Sequence, residues 1–121
     1  MSNPDAKSFA REAENAAANF LRKRGYRILH RNYTTRVGEI DLIASDHRTI
    51  CFVEVKGRST KDFGSAEASV TPVKQKRLRR TAQIFLARNK LAESDCRFDV
   101  VAVTPCLKGS GYDCELILDA F

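Results

Sequence analysis

Asp41, Glu54 and Lys56 are charged residues set in two runs that otherwise read as buried strand, GEIDLIA and TICFVEVK, joined by SDHR. A charge taken into a core costs several kcal/mol unless it is paired, neutralised or bound to a metal. These three residues therefore need either mutual compensation or a task. Residues two apart on a strand share a face, so Glu54 and Lys56 project together, with Val53 and Val55 on the opposite side. A hairpin formed by the two runs sets Asp41 beside the end of the neighbouring strand, and the two carboxylates come within reach of one cation. Adjacent carboxylates repel until something positive sits between them. An aspartate followed by E-x-K is a short pattern, and it leaves two readings open: an internal ion pair at the end of a sheet, or a cation site.

The elements that must position these residues are legible in the hydrophobic pattern. Residues 6 to 25 carry Phe9, Ala13, Ala16, Ala17, Phe20 and Leu21 at helical spacing, and Gly25 is a natural stop. Glu14 lies at the edge of that stripe. GYRILHRNYTTR reads as a short strand and polar turn, and the GEIDLIA and TICFVEVK runs as a β-hairpin with a four-residue loop. Residues 57 to 70 show no clear period and read as a loop. TPVKQKRLRRTAQIFLARNKLA opens with Thr71 as N-cap and Pro72 at the first helical position, then places Leu78, Ala82, Phe85 and Leu86 on one face. CRFDVVAV reads as a buried strand and CELILDA as a final short one. The strand holding Glu54 is apolar on both faces, so it is expected to be central, with helices on each side of the sheet.

The 121 residues suit one domain spanning 1–121. With 43% hydrophobic and 30% charged residues the composition is that of a globular protein. No apolar run approaches a membrane span and the first residues lack a signal core, so a cytoplasmic address without membrane association is expected. The four cysteines form no C-x-x-C pair, which points to reduced structural thiols rather than a zinc cage or a disulfide framework. His30 and His47 share no ligand spacing and read as surface residues. The net charge is +6, and between Thr71 and Lys90 lie seven Lys or Arg with no Asp or Glu. Such a run is either a solvated face or a surface for phosphates, and its position beside an acidic site favours the second.

GEIDLIA, FVEVKGRS, ASVTPVKQKRL and CRFDVVAV, in that order, resemble the YraN family (uncharacterised protein family 0102), which is placed in the PD-(D/E)xK nuclease superfamily and is similar to archaeal Holliday junction resolvases. The resemblance covers roughly residues 9 to 103. It implies an α/β, restriction-endonuclease-like core: a mixed central sheet flanked by helices in the order αβββαβ(β). It also implies Asp41 and Glu54 as metal-binding acids, Lys56 as the motif lysine and Glu14 as the first-helix glutamate, all four catalytic. Gln75 and Lys76 fall where relatives place a Gln or Lys near the site.

The activity that the resemblance implies is that of a Mg²⁺- or Mn²⁺-dependent nuclease acting on phosphodiester bonds in DNA, branched or structured substrates included. Asp41, Glu54 and the Val55 carbonyl would hold the metal, and Lys56 would orient or deprotonate a water. Arg58, Lys74, Lys76, Arg77 and Arg80, together with Gln75, are the candidate contacts to nucleic acid. Phe63 and Tyr33, in polar stretches, are candidates to touch a base. A non-cleaving nucleic-acid-binding protein with the same fold is the alternative, and relatives of this kind often pair as homodimers.

Overall fold

The computed structural model describes residues 4–59 and 65–121. Helix α1 (Pro4–Lys23) is followed by strands β1 (Arg27–Thr34), β2 (Glu39–Asp46) and β3 (Thr49–Gly57), a 3₁₀ turn (Glu67–Ser69), helix α2 (Pro72–Arg88), and strands β4 (Cys96–Pro105) and β5 (Tyr112–Ile117). The strands form one five-stranded sheet in the order β1-β2-β3-β4-β5. Neighbours are antiparallel except β3 and β4, which run parallel because α2 carries the chain back across the sheet. This is the expected α/β architecture, with β3 central.

Each helix buries one stripe against one face. Ala13, Ala17 and Leu21 of α1 pack with Leu42, Cys51, Val53, Val101 and Val103. Small side chains on that stripe let the helix axis lie close to the sheet. On the other face Leu78, Ala82 and Phe85 of α2 pack with Ile40, Ile43, Phe52, Phe98 and Val100. Helix α1 ends in a Schellman motif: Tyr26 N–H donates to Leu21 O and Gly25 N–H to Arg22 O, both at 3.0 Å, with Gly25 at φ 90°. Helix α2 begins as its sequence suggests, Thr71 Oγ1 accepting from Lys74 N–H at 3.3 Å and Pro72 occupying the first turn.

Three local readings need correction. The β2–β3 connection is two residues, His47 and Arg48, because pairing persists to Asp46 and Thr49 and His47 takes up φ 57° to close the turn. The stretch from 57 to 70 is not all loop: Gly57 ends β3 and residues 67 to 69 form the 3₁₀ turn, which hydrogen bonding holds where no periodicity signals it. Tyr33 belongs to β1 and packs edge-on against Phe85 at 5.3 Å, so its ring is committed to the α2-side core. Phe63 lies outside the described residues. His30 and His47 are exposed. Among the described residues no helix is long and apolar enough to cross a membrane.

Two glycines set how near the helices approach. A Cβ on Gly57 would lie 3.2 Å from Ala13 Cβ and 3.3 Å from the Phe9 ring, so α1 can pass over the end of β3 only where that side chain is missing. A Cβ on Gly38 would meet Thr81 Oγ1 at 3.0 Å, which keeps the start of β2 close beneath α2.

Candidate functional site

Strict alternation along β2 would send Ile40 and Leu42 to the same face of the sheet. Instead Ile40 joins the α2-side core and Leu42 the α1-side core. The break falls at Asp41. Pairing between β2 and β3 stops at Leu42↔Val53, and beyond it Asp41 Oδ2 accepts the backbone N–H of Val55 at 2.9 Å. A carboxylate thus takes over where the backbone ladder ends, and it stands between the two faces.

Asp41 and Glu54 line one cavity of about 440 Å³, together with Gly38, Thr71, Lys74 and Arg77. Asp41 also lines a second cavity, of about 180 Å³, with Glu14, Val55 and Gly57. The three acids do not line one cavity: Glu14 approaches from the α1 side, Glu54 from the α2 side, and Asp41 connects them. Among the described residues no three His, Cys, Asp or Glu side chains are grouped closely enough to hold one ion by themselves. Glu14 Oε1 is buried without a hydrogen-bond partner, 3.6 Å from the Arg31 guanidinium, which itself donates to Asn15 Oδ1 at 2.7 Å.

Glu54 is 6% exposed; strand parity turns it and Lys56 to one face as expected, and that face is the α2 side. Its Oε1 accepts Lys74 Nζ at 2.6 Å, with Lys56 Nζ at 3.8 Å from the same oxygen. Lys74, read from sequence as a phosphate contact, is thus the ion-pair partner of Glu54. The two ammoniums crowd one another. Burial and then the nearness of Lys74 lower the pKa of Lys56; for Lys74 burial also pulls downward, but the contact with Glu54 prevails and the pKa rises. Burial, and next the Glu54 charge, push the Asp41 carboxyl up to about 7, against the opposing effect of the Val55 N–H. Asp41 is held close to its protonation boundary at neutral pH.

The remaining basic residues separate. On a helix turning about 100° per residue, Lys76 and Arg80 point roughly 200° and 240° away from Lys74. Both are exposed on the outer side of α2, whereas Arg77 lines the larger cavity. Gln75 turns back to donate Nε2 to Val70 O at 2.9 Å, which fastens the 3₁₀ turn to α2 rather than serving the acidic pair. Arg58 lines a separate cavity of about 190 Å³ with Glu67, Asp113 and Glu115. Sequence reading missed the position of Lys74 and the pair of half-buried Arg97 with buried Asp99, where Arg97 Nε lies 3.0 Å from Asp99 Oδ2 and Arg97 Nη2 donates to the Tyr26 hydroxyl at 2.7 Å. For Asp99 the signal was available: an acid inside the apolar run RFDVV.

The chain matches the family model described as "Uncharacterised protein family UPF0102" over residues 13–103, an interval that contains Glu14, Asp41, Glu54, Lys56 and Lys74. It is 51% identical over 115 residues to a UPF0102 protein of Prosthecochloris aestuarii, covering 92% of this chain and 91% of that one. A UPF0102 protein of Desulfosudis oleivorans is 46% identical over 113 residues, 93% of this chain and 89% of its own. One from Caldicellulosiruptor saccharolyticus is 44% identical over 108 residues, 89% and 92% of the two chains.

Proposed function

The chain belongs to the uncharacterised protein family UPF0102, and from that starting point we propose that it is a Mg²⁺- or Mn²⁺-dependent nuclease of PD-(D/E)xK type that hydrolyses phosphodiester bonds in DNA. The observation that carries this reading is the pair of carboxylates, Asp41 and Glu54, lining one cavity with two lysines in attendance.

The donor set fits a hard divalent ion. Asp41, Glu54 and the Val55 carbonyl offer oxygen only, and Mg²⁺ is commonly held by one or two carboxylates with substrate phosphates and water completing its shell. Glu14 adds a further carboxylate to the lining of the smaller cavity that Asp41 shares, with Arg31 3.6 Å from its Oε1. When bound, the ion supplies Lewis acidity toward a phosphate oxygen and makes water a better nucleophile at neutral pH.

This chain's own residues account for the rest. Lys56, with its pKa lowered, is suited to accept a proton from the attacking water and can return to the charged form as negative charge builds on the phosphorus oxygens. The Val55 N–H fixes Asp41 in one orientation, so the carboxylate loses little freedom on engaging a ligand. Arg77, on the rim of the cavity, is placed to meet a backbone phosphate, a contact that positions nucleic acid without reading sequence.

The Lys74–Glu54 contact favours a second reading, a non-cleaving nucleic-acid-binding protein with this fold, because it satisfies Glu54 with no metal. A cleavage panel of duplex, single-stranded, flap and four-way-junction DNA in Mg²⁺ or Mn²⁺, run beside Asp41→Asn and Glu54→Gln, separates the two. Cleavage of any substrate that both variants abolish supports the nuclease. Binding of the panel with every substrate left intact supports the second reading.

A further inference from the structure

We propose that Lys74 is a built-in counter-ion that stands in for the divalent cation on Glu54 and gives up that place when a nucleic-acid phosphate is present to receive it, so that metal and nucleic acid bind as a pair. The inference rests on the nuclease reading above and states how that same site is loaded.

Lys74 Nζ and Lys56 Nζ lie 2.6 and 3.8 Å from one oxygen, Glu54 Oε1, and the Glu54 side chain is 7% exposed. With both acids ionised, Asp41 and Glu54 set against Lys56 and Lys74 make a cluster of no net formal charge. A divalent cation entering it meets two ammoniums as well as two carboxylates. Its attraction is therefore weak for as long as Lys74 stays.

The two lysines differ in their freedom to leave. Lys56 sits two residues beyond Glu54 on the same strand, and its side chain is 23% exposed; Lys74 rises from the first turn of α2 and is 40% exposed. Of the two, Lys74 has water closer at hand. The cavity is lined by Thr71, Val73 and Arg77 as well as Glu39, so a phosphate arriving there meets the cations of Arg77 and Lys74 against the one further carboxylate of Glu39. A phosphate offers Lys74 the negative charge it gives up on releasing Glu54, and the released carboxylate becomes available to the metal. Each ligand thus removes the obstacle to the other, and by linkage the effect is reciprocal.

The test uses the full chain, freed of metal, as wild type, Lys74→Met and Lys74→Gln. Met keeps the packed stem and removes the charge, while Gln keeps a hydrogen-bond donor for Glu54 without charge. Binding of Mn²⁺ alone, followed by loss of the electron paramagnetic signal of the free ion, is expected to be about ten-fold tighter in both variants than in wild type, within the usual range of coupling between sites. Anisotropy of a labelled duplex oligonucleotide, compared in EDTA and in Ca²⁺ at constant ionic strength, is expected to show about ten-fold tighter binding by wild type in Ca²⁺ and loss of most of that gain in the variants. Equal or weaker Mn²⁺ binding by folded variants, beside measurable binding by wild type, overturns the counter-ion role and leaves the nuclease reading intact. Absence of Mn²⁺ binding from all three proteins overturns the metal reading and this inference together.

Discussion

Val55 donates its backbone N–H to Asp41 Oδ2 across the gap where β2 and β3 cease to pair, at 2.9 Å. A single side chain therefore both completes the sheet's hydrogen bonding and supplies a carboxylate to the cavity. The two roles can be separated by substitution. Asp41→Asn keeps an acceptor for Val55, while Asp41→Ala leaves that N–H unmet, a loss of about 1–3 kcal/mol for a buried donor. Urea unfolding should place the Ala variant below the Asn variant by that margin, with cleavage abolished in both. Coincident unfolding curves would show the bond contributes nothing to stability.

The raised pKa of Asp41 has a definite signature in pH. Unfolded, the carboxyl titrates near 3.9; folded, near 7. Between those values the native state binds more protons than the unfolded state, so stability falls as pH rises from about 4 through about 7 and then levels off. Asp99, also raised by burial, contributes in the same direction. Subtracting the profile of Asp41→Asn from that of the metal-free wild type cancels Asp99 and leaves the Asp41 contribution, expected as a decline of a few kcal/mol. A difference profile flat across that window contradicts the burial effect.

Millimolar Mg²⁺ or Mn²⁺ should raise the melting temperature, because a ligand that binds only the native state stabilises it, by about 2.7 kcal/mol at a hundred-fold excess over Kd. The increment should grow as pH rises past 7, where Asp41 is deprotonated, and vanish in Asp41→Asn. Calorimetric scans of the two proteins with and without metal decide it. Identical increments in both would place the metal somewhere other than Asp41.

Gly57→Ala inserts a methyl group against Ala13 and Phe9. Overpacking of this kind costs about 1–3 kcal/mol, here by lifting α1 from the end of β3. Since α1 carries Glu14, activity should drop by more than the loss of folded protein explains. Specific activity measured well below the melting temperature tests this, and an unaltered value would detach the α1 position from function.

Arg77→Ala should flatten the dependence of log Kd on log salt by about 0.9 for B-form DNA, the share of one phosphate contact. Lys76→Ala with Arg80→Ala is expected to change the slope less, because both residues lie on the outer side of α2. The reverse order would move the nucleic-acid path to that outer face.

Much of the fold was open to reading from the residue pattern. The Ala and Leu stripe of α1, the Thr-Pro start of α2 and the apolar strand runs are local signals, and each led to an element the structure contains. Strand parity likewise put Glu54 and Lys56 on one face. What parity could not supply was the break at Asp41, because alternation fails where the pairing of β2 with β3 ends, and no residue type announces that end. The basic run is only partly legible for a related reason: its charges look uniform in a line of text, while helical rotation sends Lys74 inward to Glu54 and Lys76 outward. Gly57 gives no sign of its closeness to Ala13, since that contact joins segments far apart in the chain.

The β3–β4 pair is the one parallel pairing among the described strands, and it joins segments lying on either side of the whole α2 connection. Strands β1 to β3 can zip together as successive hairpins soon after collapse, whereas closing the crossover must first meet the entropy of a long loop, which makes it the slow event in assembly. Until it closes, β3 shows an unpaired, largely apolar edge, the kind of template on which nascent chains aggregate. Glu54 and Lys56 lie on that strand and Lys74 on the connection, so the acid gains the nearer of its two ammoniums in the same step that covers the edge. Charge balance and protection from aggregation arrive together, and a chain that stalls before that step lacks both.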